Sequence, residues 1–131
     1  MDIYRELILD HYKNPRNFGH LDHPDEVAEE INVSCGDRIV IELRTTHNSQ
    51  LTTIRDIRFS GEGCAISQAS ASMLTEKIKG LPIDTVMKFN LRTITDMLGT
   101  TLTPLRVKCA TLPLEVVQKA IYNNLRYKNE L

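Results

Sequence analysis

A chain of 131 residues, 41% of them hydrophobic and 25% charged, has material for one ordinary hydrophobic core, and a single domain over 1–131 is expected. Its 16 basic and 17 acidic residues nearly cancel and are interspersed, which argues against a nucleic-acid-binding surface. No apolar run approaches the roughly 20 residues that cross a bilayer. Met1-Asp2-Ile3-Tyr4-Arg5-Glu6 lacks the basic-then-apolar layout of an export signal, so a cytoplasmic location is expected.

Tyr4 to Lys13 reads as a short helix ended by Asn14-Pro15, with an extended or turning exit through Arg16-Asn17-Phe18-Gly19. After a polar loop, Val27 to Val33 reads as a first strand that breaks at Ser34-Cys35-Gly36-Asp37. Arg38 to Thr46 alternates as a second strand, His47 to Gln50 reads as a hairpin loop, and Leu51 to Phe59 returns as a third. That strand is expected to stop at Gly61 and Gly63. Cys64 then begins a helical stretch rich in small residues, which Gly80 and Pro82 terminate.

Two short helices follow, Ile83 to Phe89 and Leu91 to Leu98, the second with Asn90 as N-cap and Gly99 as C-terminal stop. Ala110, Leu114, Val117, Ile121 and Leu125 form the apolar stripe of a last helix that Cys109 opens. Pro113 costs little if this helix starts near Ala110 and kinks it if the start is as early as Arg106. Strands first and helices afterwards predict an α+β fold: a small three-stranded antiparallel sheet with helices packed on one face.

The three cysteines, Cys35, Cys64 and Cys109, are too few and too odd in number for a disulfide framework, and none lies within two residues of another. Spacing alone leaves three isolated thiols. Topology brings them closer, because each falls at the end of an element. In a meander, the first turn and the exit of the third strand share one end of the sheet, so Cys35 and Cys64 can be neighbours. Cys109 joins them if the last helix points its N-terminus that way. Asp37 adds a hard oxygen donor, completing the four that tetrahedral zinc or one face of an iron–sulfur cluster requires. Four anionic donors need compensation, and Arg106 and Lys108 stand just before Cys109.

Four stretches carry a resemblance: Tyr4 to Asn17, Cys35-Gly36-Asp37, Gly61 to Ser72, and Arg106-Val107-Lys108-Cys109-Ala110-Thr111-Leu112. In that order they resemble the U-type iron–sulfur cluster assembly family, which includes IscU, SufU and the N-terminal domain of NifU. The resemblance implies that Cys35, Asp37, Cys64 and Cys109 form a site that builds a transient [2Fe–2S] cluster and can also hold zinc or iron. It implies a cysteine desulfurase that delivers sulfur as a persulfide to one of the three cysteines, and recipient apo iron–sulfur proteins. The expected function is a scaffold for cluster assembly and not an enzyme in the turnover sense. The alternative is a SufU-like, zinc-dependent sulfurtransferase that accepts sulfur without assembling a cluster.

IscU-type members carry histidine directly before the third cysteine, where this chain has Lys108, as SufU-type members do. The insertion of roughly twenty residues usual in SufU between the second and third cysteines is missing. With no imidazole available, Asp37 is expected to be the exchangeable donor through which the site opens. Gly61 and Gly63 are expected to keep the loop before Cys64 slim and mobile. The histidines His11, His20, His23 and His47, the lysines Lys77, Lys79 and Lys88, and the outward Arg55 and Arg58 are read as solvated or structural. Met73, Met87 and Met97 are read as core.

Overall fold

The computed structural model describes the backbone of residues 3–130 and side chains through residue 125. In chain order the elements are α1 (Ile3–Lys13), β1 (Glu26–Asn32), β2 (Asp37–Asn48), β3 (Leu51–Glu62), α2 (Ala65–Ile78), α3 (Ile83–Met87), α4 (Leu91–Leu98) and α5 (Pro104–Glu130). The strands form an antiparallel sheet in the order β1-β2-β3, the expected meander. Alternation decides which face is covered. Ile39, Ile41 and Leu43 of β2 and Ile54, Ile57 and Phe59 of β3 are fully buried beneath α2 and α5. Each such side chain contributes about 1.5–3 kcal/mol by leaving water.

β3 runs through Gly61 to Glu62 instead of ending at Phe59. Gly61 pairs with Ile39 at φ 118°, and a Cβ there would run into the Arg38 backbone. This glycine is therefore a point of close strand approach, not a strand stop. The β2–β3 hairpin is also tighter than expected, because Asn48 pairs with Leu51 and leaves Ser49 and Gln50 as its turn. A register shift at Arg44/Thr45 leaves Arg55 outside the pairing, a bulge in β3.

α2 lies between α1 and α5 and against β3, which explains its small residues. Ser67, Ala69, Ser70, Ala71 and Ser72 are all buried, and a helix packed on several sides has room for little else. α1 is tied to it by His11, whose Nδ1 lies 2.7 Å from Ser72 Oγ, and by the Arg16 N–H donating to the same oxygen. His11 is thus a buried structural residue. The chain then crosses to the free edge of β3, where the Phe59 N–H donates to the Asn17 carbonyl and the Gly19 N–H to the Phe59 carbonyl.

α4 carries the cap expected of it. Asn90 Oδ1 accepts from the Thr93 N–H, Thr93 Oγ1 accepts from the Asn90 N–H, and Gly99 closes the helix at φ 71°. α5 begins earlier than its apolar stripe suggests, at Pro104, with the Thr103 carbonyl accepting the first helical bond from Val107. Proline at a first helical position has the right φ and needs no donor. Two minor expectations are corrected. Met87 is exposed rather than core, and Arg58, read as outward and solvated, is half-buried and paired with Asp56 at 2.7 Å. Among the described residues no helix is long and apolar enough to cross a membrane.

Candidate metal centre

Asp37 opens β2 opposite Asn32, the last residue of β1, and Arg38 faces Glu62 at the end of β3. The four-residue turn holding Cys35 and the β3–α2 junction holding Cys64 therefore meet at one end of the sheet. In that turn the Cys35 N–H donates to the Asn32 carbonyl, and Gly36 adopts φ 69°. α5 reaches the same end from above, but Cys109 does not open that helix. It lies in the second turn, because the helix already starts at Pro104. Pro113 has no N–H, so the Cys109 carbonyl lacks its usual donor one turn on.

Cys35 Sγ, an Asp37 carboxylate oxygen and Cys109 Sγ all lie within 4.8 Å of one another. The two sulfurs are 3.0 Å apart. Tetrahedral zinc with Zn–S near 2.3 Å would set them about 3.8 Å apart, a small opening for a turn and a helix to give. Cys64, the fourth expected donor, stands at the rim of this group as the N-cap of α2. It reaches Cys109, and its Sγ lies 3.9 Å from Ser67 Oγ. The cysteines are free, with Cys35 and Cys64 half-buried and Cys109 buried.

The carboxylate of Asp37 is fully buried and asymmetric in its partners. Oδ1 accepts the Cys64 backbone N–H at 2.9 Å and the Ser67 hydroxyl at 3.1 Å. Oδ2 is buried with no hydrogen-bond partner. A buried carboxylate beside two thiols, with one oxygen left without a donor, fits a site that takes a cation. Such an anchored carboxylate is poorly suited to be the exchangeable donor expected from the sequence.

Charge at the site is supplied by Arg106, one turn before Cys109. Its guanidinium faces Cys64 first and Cys109 second, and these sulfurs hold its proton still more firmly than usual. Lys108 is exposed, and no ion pair joins it to the site among the described residues. Burial, then the neighbouring Cys35, Asp37 and Cys64 groups, push the Cys109 thiol well above the ordinary thiol range. A cation entering here must therefore displace a proton.

The histidines stay out of the site. His20 pairs with Glu42 at 2.6 Å, His47 with Thr52 at 2.7 Å, and His11 with Ser72. Gly63 does something other than keep a loop slim: a Cβ there would collide with the Asp37 carboxylate and Ser67 Oγ. Ser67 itself escaped the sequence reading. Its signal was a hydroxyl at the third helical position after an N-cap, where side chains turn back toward the cap.

Residues 3–130 match the NifU-like N-terminal domain family. The chain belongs to that family. Among curated members, it is 38% identical to the zinc-dependent sulfurtransferase SufU of Bacillus subtilis over 137 aligned positions, which take in 91% of this chain and 89% of SufU. It is 37% identical to the iron–sulfur cluster assembly scaffold protein IscU of Aquifex aeolicus over 122 positions, 93% of this chain and 76% of IscU. The SufU alignment is longer than the chain, so some of its positions have no counterpart here. In the solved structure of FiSufU from Fervidobacterium islandicum AW-1 the same fold recurs, with TM-score 0.73 and 28% identity over 88% of this chain and 94% of that one. The family thus accounts for the three-stranded sheet and the helices packed on it.

Proposed function

We propose that this protein is a cytoplasmic scaffold, one family domain over 1–131, on which iron and sulfur are joined into a labile [2Fe–2S] cluster for transfer to apo iron–sulfur proteins. The observation that carries the reading is the convergence of Cys35, Cys109 and the buried Asp37 carboxylate, one oxygen of which has no hydrogen-bond partner, with Cys64 and Arg106 at the rim. These four donors, Cys35, Asp37, Cys64 and Cys109, would hold the iron or zinc, which supplies a Lewis-acidic centre that keeps the sulfurs deprotonated. Sulfur arrives from a cysteine desulfurase. The thiolate of one of the three cysteines attacks the terminal sulfur of the desulfurase persulfide, a new S–S bond forms, and the desulfurase cysteine leaves as a thiolate. An external reductant converts the bound sulfane sulfur to sulfide. Asp37, held through Oδ1, keeps one donor in place while a thiol is released to react.

The second reading is a zinc-dependent sulfurtransferase that hands the persulfide sulfur onward without forming a cluster. It is favoured by the likeness to SufU and by Arg106 beside Cys64 and Cys109. The IscU-like length between the second and third cysteines favours the scaffold.

Anaerobic reconstitution with iron, cysteine, a thiol reductant and a cysteine desulfurase distinguishes them. The scaffold acquires visible cluster absorption that an apo-ferredoxin can remove. Retained zinc, with a persulfide on one cysteine by mass spectrometry and no visible absorption, would favour the transferase. Neither cluster nor persulfide would sink both.

A further inference from the structure

Asp37 can serve as a donor only if its carboxylate keeps its place beside the sulfurs, and two hydrogen bonds hold it there. Oδ1 is held by two donors from one short stretch: the backbone N–H of Cys64 and the side-chain hydroxyl of Ser67. With Oδ1 held at both, the carboxylate is fixed at the end of the sheet where Cys35 and Cys109 lie, and Oδ2 stays buried without a hydrogen-bond partner. The backbone N–H is present whatever residue stands at position 64. The hydroxyl is not.

We propose that Ser67 is a positioning residue for the metal centre, fixing Asp37 as a one-oxygen donor through Oδ1. The inference rests on the metal-site part of the proposed function and adds a residue outside the four donors. Ser67 is fully buried, and its one hydroxyl proton has two acceptors within reach, Asp37 Oδ1 and the Cys64 carbonyl, both at 3.1 Å. The ionised oxygen is the stronger acceptor. The Cys64 carbonyl already receives the Gln68 N–H at 3.1 Å, as in any helix, so it does not need the hydroxyl.

Gly63 completes the arrangement. A side chain there would occupy the space in which the carboxylate and the hydroxyl meet. Fixing Asp37 through the N-cap of α2 also couples the carboxylate to Cys64. When α2 begins correctly, the donor is aimed; if the Cys64 backbone moves, the carboxylate loses one of its two holds. Groups that orient a metal ligand in this way typically change metal affinity about 10- to 100-fold when removed.

The test compares the full-length wild type with Ser67→Ala, Ser67→Thr, Asp37→Ala and the Ser67→Ala/Asp37→Ala pair. Zinc affinity is read by competition with a chromophoric chelator, and the ligand field by the visible spectrum of the cobalt-substituted protein. Circular dichroism of the metal-free variants reports folding. Ser67→Ala should bind zinc about 10- to 100-fold more weakly. Its cobalt ligand-field bands should move toward those of Asp37→Ala, with sulfur-to-cobalt charge transfer undiminished. Ser67→Thr, which keeps the hydroxyl, should restore the wild-type bands, and the double variant should match Asp37→Ala alone.

Wild-type affinity and spectrum in Ser67→Ala would overturn the proposal. So would effects of Ser67→Ala and Asp37→Ala that multiply, since Ser67 would then act elsewhere. A wild type that binds no zinc or cobalt would remove the metal site and this proposal together. Failure of cluster reconstitution with these metal results intact would remove the scaffold and leave Ser67 in its role.

Discussion

One carboxylate oxygen of Asp37 does the holding and the other is left bare. A buried oxygen without a donor costs free energy on the order of a lost hydrogen bond, about 1–3 kcal/mol or more when charged. In the proposed centre a cation held by the Asp37 carboxylate and the sulfurs would offset that cost. Gly63 is the residue whose substitution separates packing from chemistry. Gly63→Ala introduces a Cβ against Asp37 and Ser67 but lies beyond the hydrophobic core. It should cost about 1–3 kcal/mol of stability and weaken zinc binding at least tenfold, measured by chelator competition. Wild-type affinity in that variant would show that the carboxylate does not need its observed place.

Element boundaries decide where the donors stand. A capping box and a left-handed glycine fix both ends of α4, which was legible to the residue from Asn90 and Gly99 alone. Asn90→Ala should remove about 1 kcal/mol and lower the melting temperature by about 4 °C, read by circular dichroism. The beginning of α5 was misread because its apolar stripe starts at Ala110 while its first turn, around Leu105 and Arg106, is exposed. Periodicity registers burial, not helicity, and only Pro104 signalled the true start. Gly61 misled for the opposite reason: a glycine inside a strand looks like a stop until the neighbouring backbone is seen to press on it.

The junction of α1 and α2 makes a pH prediction at this scale. Burial, and then the charge of Arg16, lower the affinity of His11 for a proton, against the weaker opposing pull of Glu76 and Asp10. The unfolded chain takes up that proton near the ordinary value of 6.5 while the folded chain resists it. The His11 contribution to stability is therefore present above about pH 6.5 and is lost as pH falls below it. Urea midpoints should drop between pH 7.5 and 5.5 more steeply for the wild type than for His11→Gln. Parallel slopes would assign the acid sensitivity to other groups.

For the molecule as a whole, topology gathers what the sequence scatters. A meander returns β3 to the end where β1 turns into β2, and α5 crosses the same end, so residues as distant in sequence as Cys35 and Cys109 come within 3.0 Å. The α+β class and the shared end of the sheet could be read from alternation and turn residues alone. The unequal standing of the donors could not. Three of them converge while Cys64 sits at the rim as the N-cap of α2, so the difference follows from where that helix begins. Arg106, but not Lys108, faces the sulfurs, a distinction set by helical phase.

The most direct measurement of the ligand set is zinc K-edge X-ray absorption of the zinc-loaded protein. Three sulfurs near 2.3 Å and one oxygen near 2.0 Å, with one sulfur lost in Cys64→Ser and the oxygen lost or replaced by water in Asp37→Ala, are the result predicted. Two sulfurs in the wild type, unchanged by Cys64→Ser, would contradict a four-donor centre built from Cys35, Asp37, Cys64 and Cys109.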